Sequence, residues 1–254
     1  MTDSAQTRVA LLLIGNELLT GKIRDLNGPH AIDTLRRVGA ELVEMRVVSD
    51  GQNIIATAIR ELLEHADWVV TSGGIGPTHD DVTMAAVAQA LDRELEENLP
   101  LRERIERKFP DDEISRRVWA RMATLPEGCE LVVPDRLSWP VFLAGRVWIL
   151  PGVPQTFRKQ IDAIAPRFGS SSPTRAATIH LDVGEGIVAE PLEEAVTRFD
   201  QVEFGSYPHL QPDNTYHTRV TVEGRAPERI REATAFLVER FGEHVQRVDK
   251  ADPT

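Results

Sequence analysis

Residues 67–81 read DWVVTSGGIGPTHDD, a short apolar run followed by a glycine-rich turn and two adjacent carboxylates. The apolar part predicts a buried strand at 67–72, and the periodicity of residues 82–95 predicts a helix. Glycines between the two elements allow a tight turn whose N–H groups no side chain covers. Such N–H groups, with the N-terminus of the following helix, form a cradle for phosphate. Because Asp80 and Asp81 would repel a bare phosphate, the sequence predicts a bridging divalent cation, Mg²⁺ or similar.

The segments before this turn alternate between strands and helices. Residues 9–14 are a continuous apolar run, which is typical of a strand covered on both faces. Ser49 or Asp50 is placed to cap the second helix. Strands joined by single helices favour right-handed crossovers and therefore a parallel sheet. The predicted elements are strand 9–14, helix 27–38 with Gly39 at its C-cap, strand 41–48, helix 52–65, strand 67–72 and, later in the chain, a hairpin at 141–150 that contains Gly145, followed by a helix at 154–165.

Three loops follow strands of this sheet and should therefore emerge at one edge, where ligands bind in α/β proteins. They are residues 15–27 (GNELLTGKIRDLN), 73–81, and 151–154 (PGVP). Glu17 and the Asp80/Asp81 pair would then hold a hard cation against phosphate oxygens. Other roles stay open: Thr78 or Asp81 as a helix cap, Glu17 as a solvated loop residue, and PGVP as a helix start. The candidate binding residues in these loops are Asn27, Gly73, Gly74, Gly76, Thr78, Pro151 and Gly152.

A second domain is predicted after the glycine- and serine-rich segment GSSSP at 169–173, which has the composition of a linker. We therefore expect one domain at 1–168 and another at 174–254. The later residues predict a strand–helix–strand–strand–helix order, with one strand at 202–206. This order is typical of a small two-layer α+β domain.

The composition limits the class of partner and the compartment. Lys and Arg number 29 and Asp and Glu 40, a net charge of −11, which argues against nucleic acid as the main partner. Apolar residues make up 41%, and no run is long enough to span a membrane. A single cysteine, Cys129, excludes an internal disulfide and fits a reducing cytoplasm. We expect it to be a small buried apolar residue.

Several well-known site motifs fail when their residues are counted. Residues 15–22 have five residues between their glycines where a P-loop has four, and Ile23 replaces the hydroxyl that would bind the metal. The run Gly74-Ile75-Gly76 lacks the third glycine of a dinucleotide fingerprint. The seven histidines have no zinc-type spacing. Among them only His79 lies in the glycine loop, where it is either a donor to phosphate or a general acid, or an exposed residue without a role.

The loops together resemble the molybdopterin-binding domain of MogA- and MoaB-type proteins and, above all, of the CinA (competence-damage-inducible) family. The resemblance is carried by GNELLTGKIRDLN, GGIGPTHDDVT and ILPGVPQTFR, and it extends in order over essentially the whole chain. It implies a three-layer parallel-sheet α/β domain followed by a small α+β domain, and a homo-oligomer. The site residues that it implies are Glu17, Gly73, Gly74, Gly76, Thr78, Asp80, Asp81 and Gly152.

Two departures from the CinA pattern affect function. The CinA amidase domain finds no room in 254 residues, so we do not expect nicotinamide mononucleotide deamidation. The family's usual Asn-x-x-Gly-x-Ala-Pro-Gly segment is replaced at 135–142 by DRLSWPVF, which looks more like the corresponding domain of eukaryotic FAD synthases. The pocket for the base or pterin is therefore expected to differ.

Three functions fit these observations, all with a nucleotide or pterin phosphate as ligand. The leading one, implied by the resemblance, is divalent-metal-dependent hydrolysis of the pyrophosphate of ADP-ribose or a related dinucleotide such as FAD. Asp80, Asp81 and Glu17 would be the catalytic and metal-binding residues. The alternatives are adenylylation of molybdopterin and a non-catalytic nucleotide- or pterin-binding module.

Overall fold

The computed structural model describes residues 6–108, 112–169, 174–210 and 216–249. The chain divides into two compact units, Met1–Ser170 and Ser171–Thr254. Apart from Gly169, the predicted linker at 169–173 lies outside the described residues. The first unit contains β1 (Arg8–Ile14), α1 (Asn16–Leu19), α2 (Asn27–Val38), β2 (Glu41–Val48), α3 (Gln52–Leu63), β3 (Trp68–Ser72), α4 (Thr83–Ala90), β4 (Leu95–Glu97), α5 (Leu99–Lys108), α6 (Glu113–Trp119), β5 (Thr124–Pro126), β6 (Glu130–Val132), β7 (Val141–Ala144), β8 (Val147–Leu150) and α7 (Pro154–Ile164).

The first unit is built on a six-stranded sheet in the order β2-β1-β3-β8-β7-β6. The four strands β2, β1, β3 and β8 are parallel, and the β7–β8 and β6–β7 pairs are antiparallel. Gly145 turns the β7–β8 hairpin at a φ of 56°. β2 lies on one side of β1 and β3 on the other, and the chain leaves β1 and β3 toward helices on opposite faces of the sheet, α2 and α4. A crevice therefore opens at the ends of β1 and β3.

Helices cover both faces of the sheet. Along β1, Ala10 and Leu12 pack into the apolar cluster formed with α3 and α4, whereas Leu11 and Leu13 pack into the cluster formed with α2 and α7. Successive strand residues point to opposite faces, so a continuous apolar run buries both sides. The predicted three-layer α/β class is confirmed, and Gly39 ends α2 in the left-handed conformation that its position predicted.

The helix predicted at 82–95 is shorter in the structure. It begins at Thr83 and ends at Ala90, after which Asp92 takes a φ of 52°. The N–H of Arg93 donates to the carbonyl of Ala88 across this turn, as in a Schellman-type helix end. Aspartate tolerates the left-handed region better than most residues, so the helix stops without the glycine that would have marked its end. The following residues, Leu95–Glu97, pair with β5.

The second unit contains β9 (Arg175–Leu181), α8 (Glu185–Arg198), β10 (Val202–Leu210), β11 (Tyr216–Gly224), α9 (Pro227–Phe241) and β12 (Val245–Asp249), with an antiparallel sheet ordered β10-β11-β9-β12. Its core joins residues of both helices to the sheet. The strand predicted at 202–206 extends to Leu210, and the last strand was missed. The β12 register shifts between Val245 and Arg247, which breaks the two-residue alternation that predicts strands.

No helix in the described part of either unit has both the length and the apolar composition that a membrane span requires.

Candidate functional site

The carboxyl ends of three parallel strands meet at one edge of the large sheet. Leu13 of β1 pairs with Ser72 of β3, and Ser72 pairs with Leu150 of β8. The N–H of Gly73 then donates to the carbonyl of Leu150 at 3.1 Å. A Cβ built on Gly152 would lie 3.3 Å from the Cα of Gly73. The loops at 73–81 and 151–154 are therefore in direct backbone contact, and the loop at 15–27 leaves the same edge after β1.

Gly73 and Gly74 begin the loop after β3 with positive φ angles, 118° and 64°. A Cβ on Gly73 would come within 2.2 Å of the carbonyl oxygen of Ile14, so no side chain fits. Glycine is thus required here by backbone conformation and by the closeness of β1.

Thr83 closes this loop and was not identified from the sequence as a site residue. It is fully buried, its hydroxyl donates to the carbonyl of Gly73 at 2.9 Å, and its N–H donates to that of Gly74 at 3.0 Å. A buried hydroxyl at the first position of α4 therefore fixes both glycines. The signal in the sequence was the threonine that ends GGIGPTHDDVT.

Asn27 ties the three loops together. Its side-chain amide donates to the Ser72 hydroxyl and to the Gly152 carbonyl, both at 2.9 Å. The backbone N–H of Asn27 is in turn held by the carboxylate of Asp25 at 2.8 Å. Asn27 is only 6% exposed, and its bond to the Ser72 hydroxyl is shielded from water.

We expect Asn27→Ala to lower the free energy of unfolding of the first unit by about 1–3 kcal/mol, because the buried Ser72 hydroxyl and the Gly152 carbonyl lose their donor. Urea unfolding followed by tryptophan fluorescence measures this change. Asn53→Ala is the matched control, since the Asn53 side chain is exposed and bonds only the exposed Gln89 amide among the described contacts. Equal effects of the two substitutions would contradict the structural role of Asn27.

The first loop begins with α1, a short helix that was not predicted. Asp50, expected to cap α3, instead accepts a hydrogen bond from the N–H of Asn16 at 2.8 Å, and α3 has no side-chain cap. The Glu17 carboxylate lies against Gly15, where an added Cβ would be 2.5 Å from its Oε1. Both carboxylates consequently stand at the carboxyl end of β1.

The acidic pair surrounds a single hydroxyl. The Thr78 hydroxyl donates to Asp80 at 2.6 Å and is also within hydrogen-bond distance of Asp81, which accepts the N–H of Thr78 at 2.8 Å. This hydroxyl bond holds the pKa of the Asp80 carboxyl below its ordinary value. A hydroxyl has one proton, so it satisfies one of the two carboxylates at a time. Asp81 does not cap α4, which has no side-chain cap.

A cleft of about 750 Å³ opens over these loops, within the size range of ligand pockets. Thr78 is the one predicted site residue that does not line it. The other predicted site residues all line the cleft: Glu17, Asn27, Gly73, Gly74, Gly76, Asp80, Asp81, Pro151 and Gly152. Asp50, which sequence reasoning treated only as a cap, also lines it.

Part of the cleft lining is aromatic and was not predicted from the sequence. It includes Trp119, Met122 and Trp139, with the Lys108 ammonium 5.8 Å from the Trp119 ring centroid and 5.3 Å from that of Trp139. These residues come from α5, the end of α6, the turn after it and the segment before β7. The substitution of DRLSWPVF for the family pattern was the one signal in the sequence.

The donors available for a metal are carboxylates. Within the described ranges, no three His, Cys, Asp or Glu side chains form a ready-made ligand group. Mg²⁺ is usually held by one or two carboxylates together with substrate phosphates and waters, and it does not require an all-protein cage. The Asp80/Asp81 pair, with Glu17 bordering the same cleft, fits that mode of binding.

Two other reactive side chains contribute little. Cys129 is half-buried and not fully buried as predicted, and this burial raises the pKa of its thiol to about 11, so the thiol is protonated and unreactive near neutral pH. His79 is almost fully exposed, with a ring nitrogen 3.9 Å from Asp80.

Comparison with known proteins gives two family matches. Residues 10–169 match a model described as "Probable molybdopterin binding domain", and residues 173–249 match "FAD synthase, middle domain".

Individual relatives cover most of the chain. A protein of Archaeoglobus fulgidus is 30% identical over 223 residues, which cover 88% of this chain and 93% of that protein. A probable FAD synthase of Caenorhabditis briggsae is 27% identical and covers 98% of this chain, which spans only 52% of that longer relative. The crystal structure of the protein CinA, of unknown function, from Thermoplasma acidophilum aligns with a TM-score of 0.57 at 28% identity, covering 64% of this chain and 98% of that one.

Proposed function

Since this chain belongs to the molybdopterin-binding-domain family, with CinA-like and FAD synthase-like relatives, we propose that its cleft binds a nucleotide and hydrolyses it. The substrate class is a dinucleotide with a pyrophosphate, ADP-ribose or a related molecule such as FAD. The observation that carries the proposal is a loop of glycines held open by Thr83 in the same cleft as three carboxylates.

The glycine loop would receive the phosphates. Gly73, Gly74 and Gly76 line the cleft without a side chain over the backbone, although the N–H of Gly73 already donates to the Leu150 carbonyl and is not available to a phosphate. Fixed backbone dipoles at such a loop stabilise negative charge that develops on phosphate oxygens. Asn27 acts as a positioning residue, because it holds the end of β3 and the Gly152 carbonyl in place.

The carboxylates would act on the phosphates through a bound cation. Asp80, Asp81 and Glu17 are the residues that would hold a divalent cation. When bound, that cation would neutralise phosphate charge and lower the pKa of a nearby water. Whichever of these three carboxylates does not bind the cation would accept the proton of the attacking water. Water adds to one phosphorus, the bridging P–O bond breaks, and ADP-ribose yields AMP and ribose 5-phosphate.

Incubation of the purified protein with ADP-ribose and, in turn, Mg²⁺, Mn²⁺ or Co²⁺ tests the proposal. We expect AMP and ribose 5-phosphate in equal amounts by ion-exchange chromatography, and no AMP after a chelator is added. FAD in place of ADP-ribose should yield AMP and FMN. Absence of AMP with every metal, from protein that binds nucleotide, would refute hydrolysis.

A second candidate is transfer of an adenylyl group to molybdopterin, favoured by the description of the matched family. This reaction consumes ATP and releases pyrophosphate. The two activities separate in one assay: hydrolysis produces AMP from ADP-ribose without ATP, whereas adenylylation requires both ATP and the pterin.

A further inference from the structure

The lining of the cleft combines two chemically different surfaces. One is formed by the glycine loop and the carboxylates Glu17, Asp80 and Asp81, and the other by the indoles of Trp119 and Trp139. A ligand that contacts both surfaces must carry an anionic group and a flat aromatic ring. A nucleotide has this combination.

The two indoles differ from the tryptophans of the core. Trp148 is 1% exposed and packs against Trp68 and Phe168 under the sheet. Trp119 and Trp139, by contrast, are half-buried and pack at the margin of the other apolar cluster. Their rings therefore keep part of their surface on the cleft.

Lys108 indicates which surface of the rings is accessible. Its side chain is exposed, and its ammonium lies over both indole rings. A charged ammonium stays in contact with water, so the ring faces that it covers are not packed into the core. A neutral planar heterocycle can stack on these faces, and the ammonium can move aside on its flexible stem.

We propose that Trp119 and Trp139 bind the adenine ring of the ligand whose phosphate lies at the glycine loop. This inference rests on the proposed function. It adds which half of the dinucleotide the two indoles select. ADP-ribose and FAD share this AMP half, so the indoles would recognise either. Trp119 and Trp139 would thus determine specificity, separately from the groups that bind phosphate.

AMP and ribose 5-phosphate test this proposal, because they differ only in the adenine ring and neither contains a pyrophosphate that could be hydrolysed. Isothermal titration with Mg²⁺ should show AMP binding to the wild-type protein at least tenfold more tightly than ribose 5-phosphate. Trp139→Ala and Trp119→Ala should each remove most of that ratio while leaving the Kd of ribose 5-phosphate within twofold. AMP, but not ribose 5-phosphate, should also quench the tryptophan fluorescence.

The controls separate stacking from folding. Trp139→Phe keeps an aromatic face and should retain AMP affinity within about threefold of wild type. Tyr207→Ala removes an aromatic side chain that is 51% exposed in the second unit, and it should change neither affinity.

Two kinds of binding result would contradict these proposals. Equal binding of the two ligands by wild type, or an equal loss of both in the alanine variants, would overturn the role of the indoles while leaving the phosphate site intact. Failure of wild type to bind either ligand would overturn the proposed function itself.

Discussion

Replacing either Asp80 or Asp81 with asparagine is expected to slow AMP release from ADP-ribose by on the order of 10²-fold or more. Asparagine has nearly the same size and still accepts the Thr78 hydrogen bonds, but it has no negative charge with which to hold a cation. Both carboxylates border the cleft beside a shared hydroxyl, so loss of either should weaken the binding of the same metal ion. Steady-state rates measured over a range of Mg²⁺ concentrations test this.

The metal dependence distinguishes a ligand from a loop-shaping residue. If Asp80 holds the cation, excess Mg²⁺ should restore part of the rate of Asp80→Asn, and its melting temperature should remain near that of wild type. Asp92→Asn is the control, because the Asp92 side chain is 91% exposed and its residue does not line the cleft. If Asp80→Asn and Asp81→Asn both kept a rate within threefold of wild type, the two carboxylates would shape the loop and would not bind the metal.

Gly73→Ala should produce the largest loss of stability among single substitutions at the site, about 3 kcal/mol or more. The new methyl would lie 2.2 Å from the Ile14 carbonyl oxygen, and the backbone would have to keep a φ of 118°. Relief of the clash requires β1 and β3 to separate at their ends, so nucleotide binding should be lost as well. Chemical denaturation and titration with AMP measure the two effects.

Gly21→Ala isolates the contribution of the dihedral angle. Gly21 also has a positive φ, 69°, but an added Cβ would meet no atom within 4 Å. We expect a cost of about 1–2 kcal/mol from backbone strain alone. If the two alanine variants were equally destabilised, the close approach of Ile14 to Gly73 would not be the cause.

The sequence predicted the parts of the fold that depend on local pattern. The apolar run of β1 indicated a strand covered on both faces, and Gly39 and Gly145 marked a helix end and a hairpin turn, as the structure has them. The glycine loop was also apparent from its composition, since glycines between a strand and a helix are typical of a phosphate-binding turn. These signals lie within ten residues of the feature that they specify.

The features that were missed depend on contacts between distant segments. Asp50 had the position of a helix cap, but it is 34 residues from Asn16, whose N–H it binds. Asp92 ended a helix without glycine, and a register shift concealed β12. Trp119 and Trp139 come from an irregular part of the chain, where no periodicity indicates which side chains meet.

The sheet order has a consequence for how relatives of this protein could diverge. β8 lies directly beside β3, although between the end of α4 and the start of β7 the chain makes a long excursion, residues 91–140, that carries Lys108, Trp119 and Trp139. The backbone contacts among Gly73, Leu150 and Gly152 do not involve that excursion. Exchange of the excursion between homologues should therefore transfer the preference for one ring over another, while the chemistry performed on the phosphates is inherited unchanged.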